Sequence, residues 1–200
     1  MDADARQDVV EAIYQRRAIR SYRGDKIDKA TVLELLDAAV QAPTAMHLEP
    51  WAFVVVQDKQ ALRRYSDQAK AMLLERERAA DSMVHLAGPH SLGLLAMLSD
   101  PAFNIFYDAG TLIVICRKSA GVFVDADCWL AAENLMLAAT AKGLGSCCIG
   151  FAVPVLNQAD IKRELGIPQD GAAVAPIIVG VPNAMPATVA RKAPEVLSWR

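Results

Sequence analysis

The 200 residues of this chain are enough for one domain, or for one protomer of an intertwined oligomer. Apolar residues make up 54% and charged residues 22% of the chain, which excludes disorder and indicates a large core or an extensive subunit interface. The formal net charge is −2, from 21 basic and 23 acidic side chains, and it argues against nucleic-acid binding because phosphate backbones require an extended basic surface.

Three features bear on where the protein works. Its first residues, MDADARQD, are acidic, whereas a signal peptide begins basic and continues apolar. Its densest apolar stretches, such as WAFVVV (51–56), are too short to cross a bilayer. Four cysteines lie in apolar segments without metal-like spacing, namely Cys116, Cys128, Cys147 and Cys148. Together these features predict a protein of the reducing cytoplasm that does not bind membranes.

In the first half of the chain, the spacing of apolar residues predicts helices around one strand. The predicted elements are a helix over about 4–18, a helix over about 29–41, a buried strand over 51–57, a helix that follows Asp58 into the seventies, and a helical excursion over 81–104. Val9 and Ile13 are expected on the buried side of the first helix. Asp28 and Asp58 are expected to cap the second and third helices, and Pro43 to end the second. The excursion is of the kind that covers binding sites.

The second half alternates strands and helices. The predicted elements are a buried strand over 111–116, a long helix over 125–145 ended by Gly143 and Gly145, a short strand or extended turn over 146–151, a helix over 156–165, a strand over 172–182 and a tail over 183–200. The long helix is apolar nearly all round, so it is expected in a core or a dimer interface, and its Glu133 and Asn134 need partners. Strands separated by helices in this way predict an α+β or α/β sandwich around one sheet.

Motifs that carry chemistry of their own are absent from the sequence. There is no G-x-G-x-x-G after a strand, no P-loop, no H-E-x-x-H and no G-x-S-x-G. His85 and His90 are five residues apart, which is not zinc spacing, so no metal site is expected. With three histidines and no nucleophile pair, the chain lacks a reactive apparatus, which a bound cofactor could supply.

A short stretch near the N-terminus, YQRRAIRSYR (14–23), concentrates positive charge. It holds Arg16, Arg17, Arg20 and Arg23 and no carboxylate. Arg16 and Arg20 are four residues apart, so on a helix they share a face and repel each other unless an anion lies between them. The cluster is either a solvated helix end, where cations are favourable, or a site for an anion. The choice of arginine over lysine adds weight to the second reading, because a guanidinium matches phosphate oxygens.

A second candidate is the loop at the start of APTAMHLEPWAFVVV (42–56), between a helix end and a buried strand. Its backbone N–H groups are expected to stay unpaired and could face a ligand. His47 and Glu49 are polar side chains placed just before the strand. The alternative is an ordinary connecting loop in which His47 and Glu49 pair with each other.

These two stretches together resemble the FMN-dependent nitroreductase family, which typically shows R-R-S-x-R-x-[FY] and then A-P-S-A-x-N-x-Q-P-W-x-F. DADCWLAAENLMLAATAKGLGSCCIG (125–150) is similar to the family's long central helix and its G-L-G-[ST]-x-x-I-G continuation, and LGIP, APIIVGVP and RKAP (191–194) are similar to its closing elements. The resemblance spans nearly the whole chain and is weakest over 75–105. It implies an α+β fold, an α/β/α sandwich whose central, mostly antiparallel sheet is flanked by helices. It also implies a single domain over 1–200, with a lid-like excursion around 75–105.

The resemblance implies an FMN site and assigns residues to it. Arg16, Arg17 and Arg20 would hold the flavin at its phosphate, with Arg20 reaching the ribityl chain or the pyrimidine edge. Arg191, or Lys192 as the alternative, would return from the tail to the phosphate. The implied cofactor-binding residues are Arg16, Arg17, Ala18, Arg20, Pro43, Thr44, Ala45, Met46, His47, Cys148, Ile149, Gly150 and Arg191. No residue is assigned as catalytic.

The activity that the resemblance implies is that of an FMN-dependent oxidoreductase. NAD(P)H would pass a hydride to the flavin and leave. A nitroaromatic, quinone or similar conjugated acceptor would then take its place, which gives ping-pong kinetics. The protein would supply orientation and electrostatics. The flavin would lie at the interface of a homodimer, closed by loops of one protomer and the long helix of the other.

Two departures from the family pattern bear on the substrate. Ala18 stands where the usual residue is serine, so one hydroxyl contact to the phosphate is missing. His47 and Glu49 stand where most members have Asn and Gln, a variant that resembles the iodotyrosine deiodinase branch. That branch also needs a lid Glu-x-x-x-Tyr, and Glu75 is followed four residues later by Ala79. A reductive dehalogenase is therefore disfavoured, and it stands as an alternative beside a flavin-binding protein without turnover and a flavin-free structural dimer.

Overall fold

The computed structural model of the protein describes residues 9–80 and 89–200, which form one layer of strands between two layers of helices. The helices are α1 (Val9–Gln15), α2 (Lys29–Ala39), α3 (Lys59–Ala80), α4 (Pro89–Ser99), α5 (Val124–Ala141), α6 (Val153–Leu156) and α7 (Ala159–Glu164). The strands are β1 (Trp51–Val56), β2 (Thr111–Arg117), β3 (Gly145–Cys148) and β4 (Ala172–Gly180). Short 3-10 turns occupy Ala45–His47 and Gly150–Ala152.

The four strands form one sheet in the order β1-β2-β4-β3, and each neighbouring pair is antiparallel. The central strands β2 and β4 consist almost entirely of buried residues, which suits strands that are covered on both faces. In β2, Leu112 and Val114 belong to one hydrophobic cluster, and Ile113 between them belongs to the other. This alternation is the two-residue period of a strand. Strand β3 begins one residue before the stretch 146–151 that is predicted as a strand or an extended turn, because the long helix α5 ends at Ala141 rather than at the predicted residue 145.

Each face of the sheet carries its own hydrophobic cluster. On one face, Leu35 of α2 and Leu135 of α5 are fully buried. On the other, the cluster contains Tyr65 of α3, Leu156 of α6 and Ile161 of α7. Burying a side chain such as leucine contributes about 1.5–3 kcal/mol, so the two clusters hold the sheet in the middle of the molecule. The predicted α/β/α sandwich with a mostly antiparallel sheet is therefore confirmed.

Two predicted helix starts are confirmed by their hydrogen bonds. Oδ1 of Asp28 accepts the backbone N–H of Thr31 at 2.9 Å, and Oδ1 of Asp58 accepts the backbone N–H of Ala61 at 2.7 Å. A carboxylate at this position satisfies a donor that the first turn of a helix leaves unpaired. The hydrogen bonds from Thr31 also lower the pKa of Asp28. Helices α2 and α3 thus begin where the sequence predicted.

The first helix differs from the prediction in its length and in its buried side. Helix α1 ends at Gln15, three residues before the predicted end, because the chain then turns to run beside β3. Ala12 is the buried residue of α1, whereas Val9 and Ile13 are 67% and 52% exposed. The prediction that Val9 and Ile13 face the core of this chain is therefore wrong. Its predicted start at residue 4 lies outside the described residues.

The helix predicted over 156–165 begins later, at Ala159 of α7, because Leu156 is the last residue of a separate helix, α6. Asn157 lies between them, and its Nδ2 donates to the carbonyls of Val153 and Ala173 at 2.9 Å each. Its Oδ1 accepts the backbone N–H of Ala173, also at 2.9 Å. The single-helix prediction is wrong because this side chain bonds to β4 and to the end of α6, and such bonds compete with continuous helix.

The excursion expected over 81–104 contains α4, while residues 81–88 lie outside the described part of the chain. After α4, the buried Nζ of Lys70 on α3 donates to the carbonyls of Asp100 and Phe103 at 3.2 and 2.8 Å. These bonds tie the end of the excursion to the body of the protein. Its role as a lid stays a prediction.

A membrane span would require a helix that is both long and apolar, and none of the described helices meets this requirement. Over the described ranges there is also no group of three or more His, Cys, Asp or Glu side chains placed to hold a metal ion. The four cysteines are unpaired thiols.

Candidate functional site

The arginine-rich segment lies along β3, at the edge of the sheet. Ala18 forms a parallel bridge with Ser146, and the N–H of Ile19 donates to the Ser146 carbonyl at 3.0 Å. Four residues further on, the N–H of Arg23 donates to the carbonyl of Val181, just after β4, at 3.0 Å. The segment is therefore held at both ends by backbone hydrogen bonds, much as a short additional strand would be.

Apolar side chains anchor this segment from within. Ile19 and Tyr22 are buried, and the hydroxyl of Tyr22 donates to the Ile19 carbonyl at 2.9 Å. Burial raises the pKa of the Tyr22 hydroxyl. Arg20 lies between the two anchors and is exposed. The local sequence therefore buries its apolar residues and leaves the arginine at the surface.

The three arginines of the predicted site differ in how their charges are compensated. Nε of Arg16 lies 3.1 Å from Oε1 of Glu133 on α5, which supplies the partner that Glu133 was expected to need. Nη1 of Arg17 donates to the backbone carbonyls of Tyr14 and Arg16. No described carboxylate lies within ion-pair distance of Arg17 or Arg20. The positive charges of Arg17 and Arg20 are thus available to an anion.

Arg20 lies close to an aromatic ring and to a thiol. Its guanidinium carbon is 6.0 Å from the centroid of the Tyr107 ring, at the outer limit of a cation–π contact. Burial raises the pKa of the Cys147 thiol on β3, and the positive charges of Arg20 and Arg16 oppose that rise. Both guanidinium charges therefore act on the same point of β3.

Strand β3 leads into the second predicted contact region, 148–150. Cys148 is partly exposed, and burial of its thiol raises the pKa to about 11, so the thiol is neutral near pH 7. The N–H of Ile149 donates to the Pro176 carbonyl at 2.8 Å, and the Ile149 carbonyl accepts from Ala152 at 3.0 Å. Gly150 is exposed, and a Cβ there would meet no atom within 4 Å. The region thus offers open space at Gly150, while both backbone groups of Ile149 already have partners.

The loop 43–47, predicted to face a ligand, has an unusual backbone. Met46 and His47 have φ angles of 56° and 54°, in the left-handed region that residues other than glycine rarely adopt. The backbone N–H of Ala45 donates to Oδ1 of Asp127 at 3.2 Å. Asp127 lies in the first turn of α5 and is buried. The loop is therefore anchored to α5, with Met46 exposed beyond the anchor. The prediction that the backbone N–H groups of this loop stay unpaired is wrong for Ala45, His47 and Leu48, because the tight turn and Asp127 supply acceptors for them.

The side chains of His47 and Glu49 are both exposed. Glu49 also has a positive φ, of 43°. No ion pair between them occurs in the part of the chain that the structure describes. The alternative of an ordinary loop closed by a His47–Glu49 pair is therefore not what the fold contains.

Helix α5 supports both candidate regions. Glu133 holds Arg16 of the basic segment, and Asp127 holds Ala45 of the loop. Six residues of α-helix separate Asp127 from Glu133, a distance of about 9 Å along the axis. Asn134, the other polar residue that needed a partner, donates to a carbonyl of α2 at 3.3 Å. The long helix is therefore the element that relates the loop to the arginines.

Arg191 is not joined to this group. It lies with Lys192 in the exposed tail 183–200, and neither residue forms an ion pair with another residue of the described ranges. A return of Arg191 to the phosphate therefore stays a prediction.

Two buried polar atoms at the candidate site lack a hydrogen-bond partner within residues 9–80 and 89–200. They are Oγ of Ser146, beside the basic segment, and Oδ2 of Asp127, beside the loop. Buried polar groups in native proteins nearly always have a partner. Together with the uncompensated Arg17 and Arg20, these atoms fit a ligand that carries both an anionic group and neutral hydrogen-bonding groups. The FMN expected from the sequence is a ligand of this kind.

Sequence reasoning missed Asp127 and Ser146. Ser146 is a polar residue in the buried strand β3, and Asp127 lies in the first turn of a largely apolar helix, beside the exposed Asp125. A polar residue in an apolar element is the signal that pointed to Glu133 and Asn134. The same argument, that a buried polar group needs a partner, would have identified Asp127 and Ser146 as well.

The structure is a sheet flanked by helices, with a basic segment at the edge of the sheet and a loop held on α5. These features define a class of sandwich proteins with a candidate anion site. The sequence model of the nitroreductase family matches residues 13–181. Because the match covers most of the chain, this chain belongs to the nitroreductase family, as its motifs predicted.

Relatives with several activities resemble the chain over most of its length. The 5,6-dimethylbenzimidazole synthase of Rhodospirillum rubrum is 31% identical over 186 residues, which cover 88% of this chain and 83% of that protein. The NADH dehydrogenase of Thermus thermophilus is 27% identical over 186 residues, covering 88% and 87%. The crystal structure of a nitroreductase with bound FMN from Bacteroides fragilis shares the fold with a TM-score of 0.74, at 23% identity over 97% of this chain and 98% of that chain.

Proposed function

We propose that this protein is an FMN-dependent oxidoreductase. It takes a hydride from NAD(P)H and reduces a nitroaromatic, quinone or similar conjugated acceptor by a ping-pong mechanism. The observation that carries the proposal is the pair of guanidinium groups of Arg17 and Arg20, placed at the sheet edge without a carboxylate partner in the described ranges. Membership of the nitroreductase family supports it, as do the FMN bound to a structural relative and the NADH-linked name of a sequence relative.

In this proposal the residues of the chain bind and orient. Arg17 and Arg20 neutralise the phosphate of FMN, with Arg20 extending to the ribityl chain or the pyrimidine edge. Arg16 is held against α5 by its ion pair and adds to the positive field. The regions 43–47 and 148–150 line the ring system. Bound FMN supplies the hydride chemistry, so no side chain is needed as a nucleophile.

The proposal includes a homodimer with the flavin at its interface. Helices α1 and α5 pack against each other and carry exposed aromatic and apolar residues, Tyr14 on α1 and Trp129 and Leu130 on α5. Trp129 is 44% exposed. In the tail, Trp199 is 93% exposed. Monomeric soluble proteins rarely leave large contiguous apolar surfaces in water. A second subunit that covers α1 and α5, and receives the tail, accounts for this exposure.

Two further parts of the proposal concern domain organisation and location. The chain acts as a single domain in which the segment around 75–105 covers the site. Helix α4 belongs to that cover, and Lys70 holds the residues that follow α4 through the carbonyls of Asp100 and Phe103. The protein works in the reducing cytoplasm, which the four free thiols support.

The proposal is tested by incubating the purified protein with FMN, removing the excess, and adding NADH or NADPH without oxygen. The yellow colour is expected to bleach and to return when a nitroaromatic or a quinone is added. A protein that stays yellow is a flavin binder without turnover, and one that stays colourless after incubation with FMN is a flavin-free dimer; either result contradicts the proposal. Release of halide from halotyrosines would instead identify a reductive dehalogenase.

A further inference from the structure

Asp127 is a buried carboxylate to which the proposed function assigns no role. It is 4% exposed, and no cationic side chain of the described ranges lies within ion-pair distance of it. Its Oδ1 accepts the N–H of Ala45, while its buried Oδ2 has no partner among the described residues. An unpaired buried carboxylate oxygen costs free energy, so this oxygen calls for a hydrogen-bond donor from outside those residues.

The amide that Asp127 holds is the start of a strained segment. Ala45 is followed directly by Met46 and His47, both in the left-handed conformation, which costs residues other than glycine free energy and needs support from the surroundings. Within the loop, the N–H of Leu48 donates to the Ala45 carbonyl at 3.2 Å. The bond to Asp127 joins this turn to an 18-residue helix, so Asp127 determines where the loop lies relative to α5.

We propose that Asp127 is a positioning residue of the FMN site, an inference that rests on the proposed function. Its Oδ1 fixes the Ala45 amide and through it the loop 43–47. Its Oδ2 accepts a hydrogen bond from a neutral N–H or O–H donor of the flavin. That donor belongs to the ring or the ribityl chain, because a carboxylate repels the phosphate. Asp127 therefore recognises the part that FMN shares with riboflavin, whereas Arg17 and Arg20 recognise the phosphate.

Two substitutions separate the roles of the two oxygens. Asp127→Asn keeps one oxygen for the Ala45 amide and places an NH₂ donor where Oδ2 accepts, whereas Asp127→Ala removes both acceptors. Asp125→Asn is the matched control. Asp125 lies in the same turn of α5, but it is exposed and its Oδ1 is 3.2 Å from Nη1 of Arg117.

Flavin affinity is measured by titrating flavin-stripped protein with FMN and with riboflavin and following the quenching of flavin fluorescence. Asp127→Asn is expected to weaken the binding of both flavins by about tenfold, the usual effect of losing a hydrogen bond to a charged group. Asp125→Asn is expected to leave both affinities unchanged, and Arg17→Ala to weaken FMN alone. If Asp127→Asn binds both flavins as tightly as the wild type does, Oδ2 is not a flavin ligand. The same conclusion holds if the variant binds FMN more weakly but riboflavin as tightly as the wild type.

Hydrogen exchange of the flavin-free protein tests the loop role without any ligand. Asp127→Ala is expected to raise the exchange rates of amides 45–48 by about tenfold and to leave the amides of β4 protected, while Asp127→Asn keeps the loop protected. Unchanged loop exchange in Asp127→Ala, or an equal loss across β4, would overturn the positioning role. If Asp127→Ala does not fold, the titrations of Asp127→Asn with FMN and with riboflavin still decide whether Oδ2 binds the flavin. A wild-type protein that binds neither flavin would refute the proposed function, whereas the exchange result would still decide the loop role.

Discussion

A Cβ atom on Gly145 would lie 2.8 Å from Cγ1 of Ile19, so the basic segment meets β3 at a point where only a hydrogen atom fits. Ile19 is 2% exposed and closely packed, which leaves it no space to withdraw. Its N–H bonds to the carbonyl of Ser146, the next residue of β3. Gly145 therefore sets the separation between the arginines and the sheet.

Gly145→Ala is expected to push the segment 16–20 away from β3. The added methyl group overpacks this contact, so the free energy of unfolding should fall by about 1–3 kcal/mol, and FMN affinity should fall with it. Urea denaturation and an FMN titration measure the two effects. Gly93→Ala is the control, because a Cβ there meets no atom within 4 Å and alanine favours the helix α4 in which it lies. Equal stability of Gly145→Ala and the wild type would contradict this account of the contact.

Arg17→Ala and Arg20→Ala test the anion site. Each removes a guanidinium with no carboxylate partner in the described ranges, so FMN binding is expected to weaken by at least about 1.5 kcal/mol, or roughly tenfold. Titration of the flavin-free variants with FMN measures the change. Arg23→Ala is the matched control, since Arg23 is an exposed arginine of the same segment but does not belong to the implied site. If both variants bound FMN as the wild type does, the arginines would not be phosphate ligands.

Trp129→Arg is expected to convert the proposed homodimer into a monomer. A charged side chain in the centre of an apolar interface must be desolvated without a partner, which costs several kcal/mol and outweighs what a single contact contributes. Sedimentation velocity measures the change in mass. Val55→Arg is the control, because Val55 is similarly exposed but lies on the edge strand β1. A dimer that survives Trp129→Arg would place the interface elsewhere.

The buried thiols predict a loss of stability in alkali. Burial raises the pKa of Cys116 to about 12 and that of Cys128 to about 11, from ordinary values of 9.0. Above pH 9 the unfolded chain loses thiol protons that the folded chain keeps. The free energy of unfolding is therefore fully retained below about pH 9 and falls as the pH rises towards 12.

Urea denaturation at a series of pH values between 8 and about 11.5 measures this decline. Cys116→Ala is expected to be less stable at pH 7 by about 1–2 kcal/mol, because it leaves a small cavity, and to lose stability less steeply above pH 9. A slope identical to that of the wild type would show that Cys116 does not contribute to the alkaline loss.

Local features of this fold were predictable because they depend on neighbours in the sequence. Asp28 and Asp58 cap their helices through amides three residues ahead, a distance that a sequence pattern spans. The errors arose where distant residues intervene. Val9 and Ile13 have helical spacing but no core to face in this chain, and Asn157 breaks a helix in order to bond to β4.

The sequence by itself determined the family, through motifs that resemble a known family pattern and match its sequence model over residues 13–181. It also determined the sandwich and the supply of arginines near the N-terminus, since these follow from residue types and from periods of two to four residues. Only the tertiary structure decided that Glu133 takes the charge of Arg16 across 117 positions, and that Asp127 holds Ala45 across 82. Both pairs exist because α5 contacts both α1 and the loop. No short-range pattern encodes which distant side chains such packing brings into contact, or which charges it leaves unpaired for a ligand.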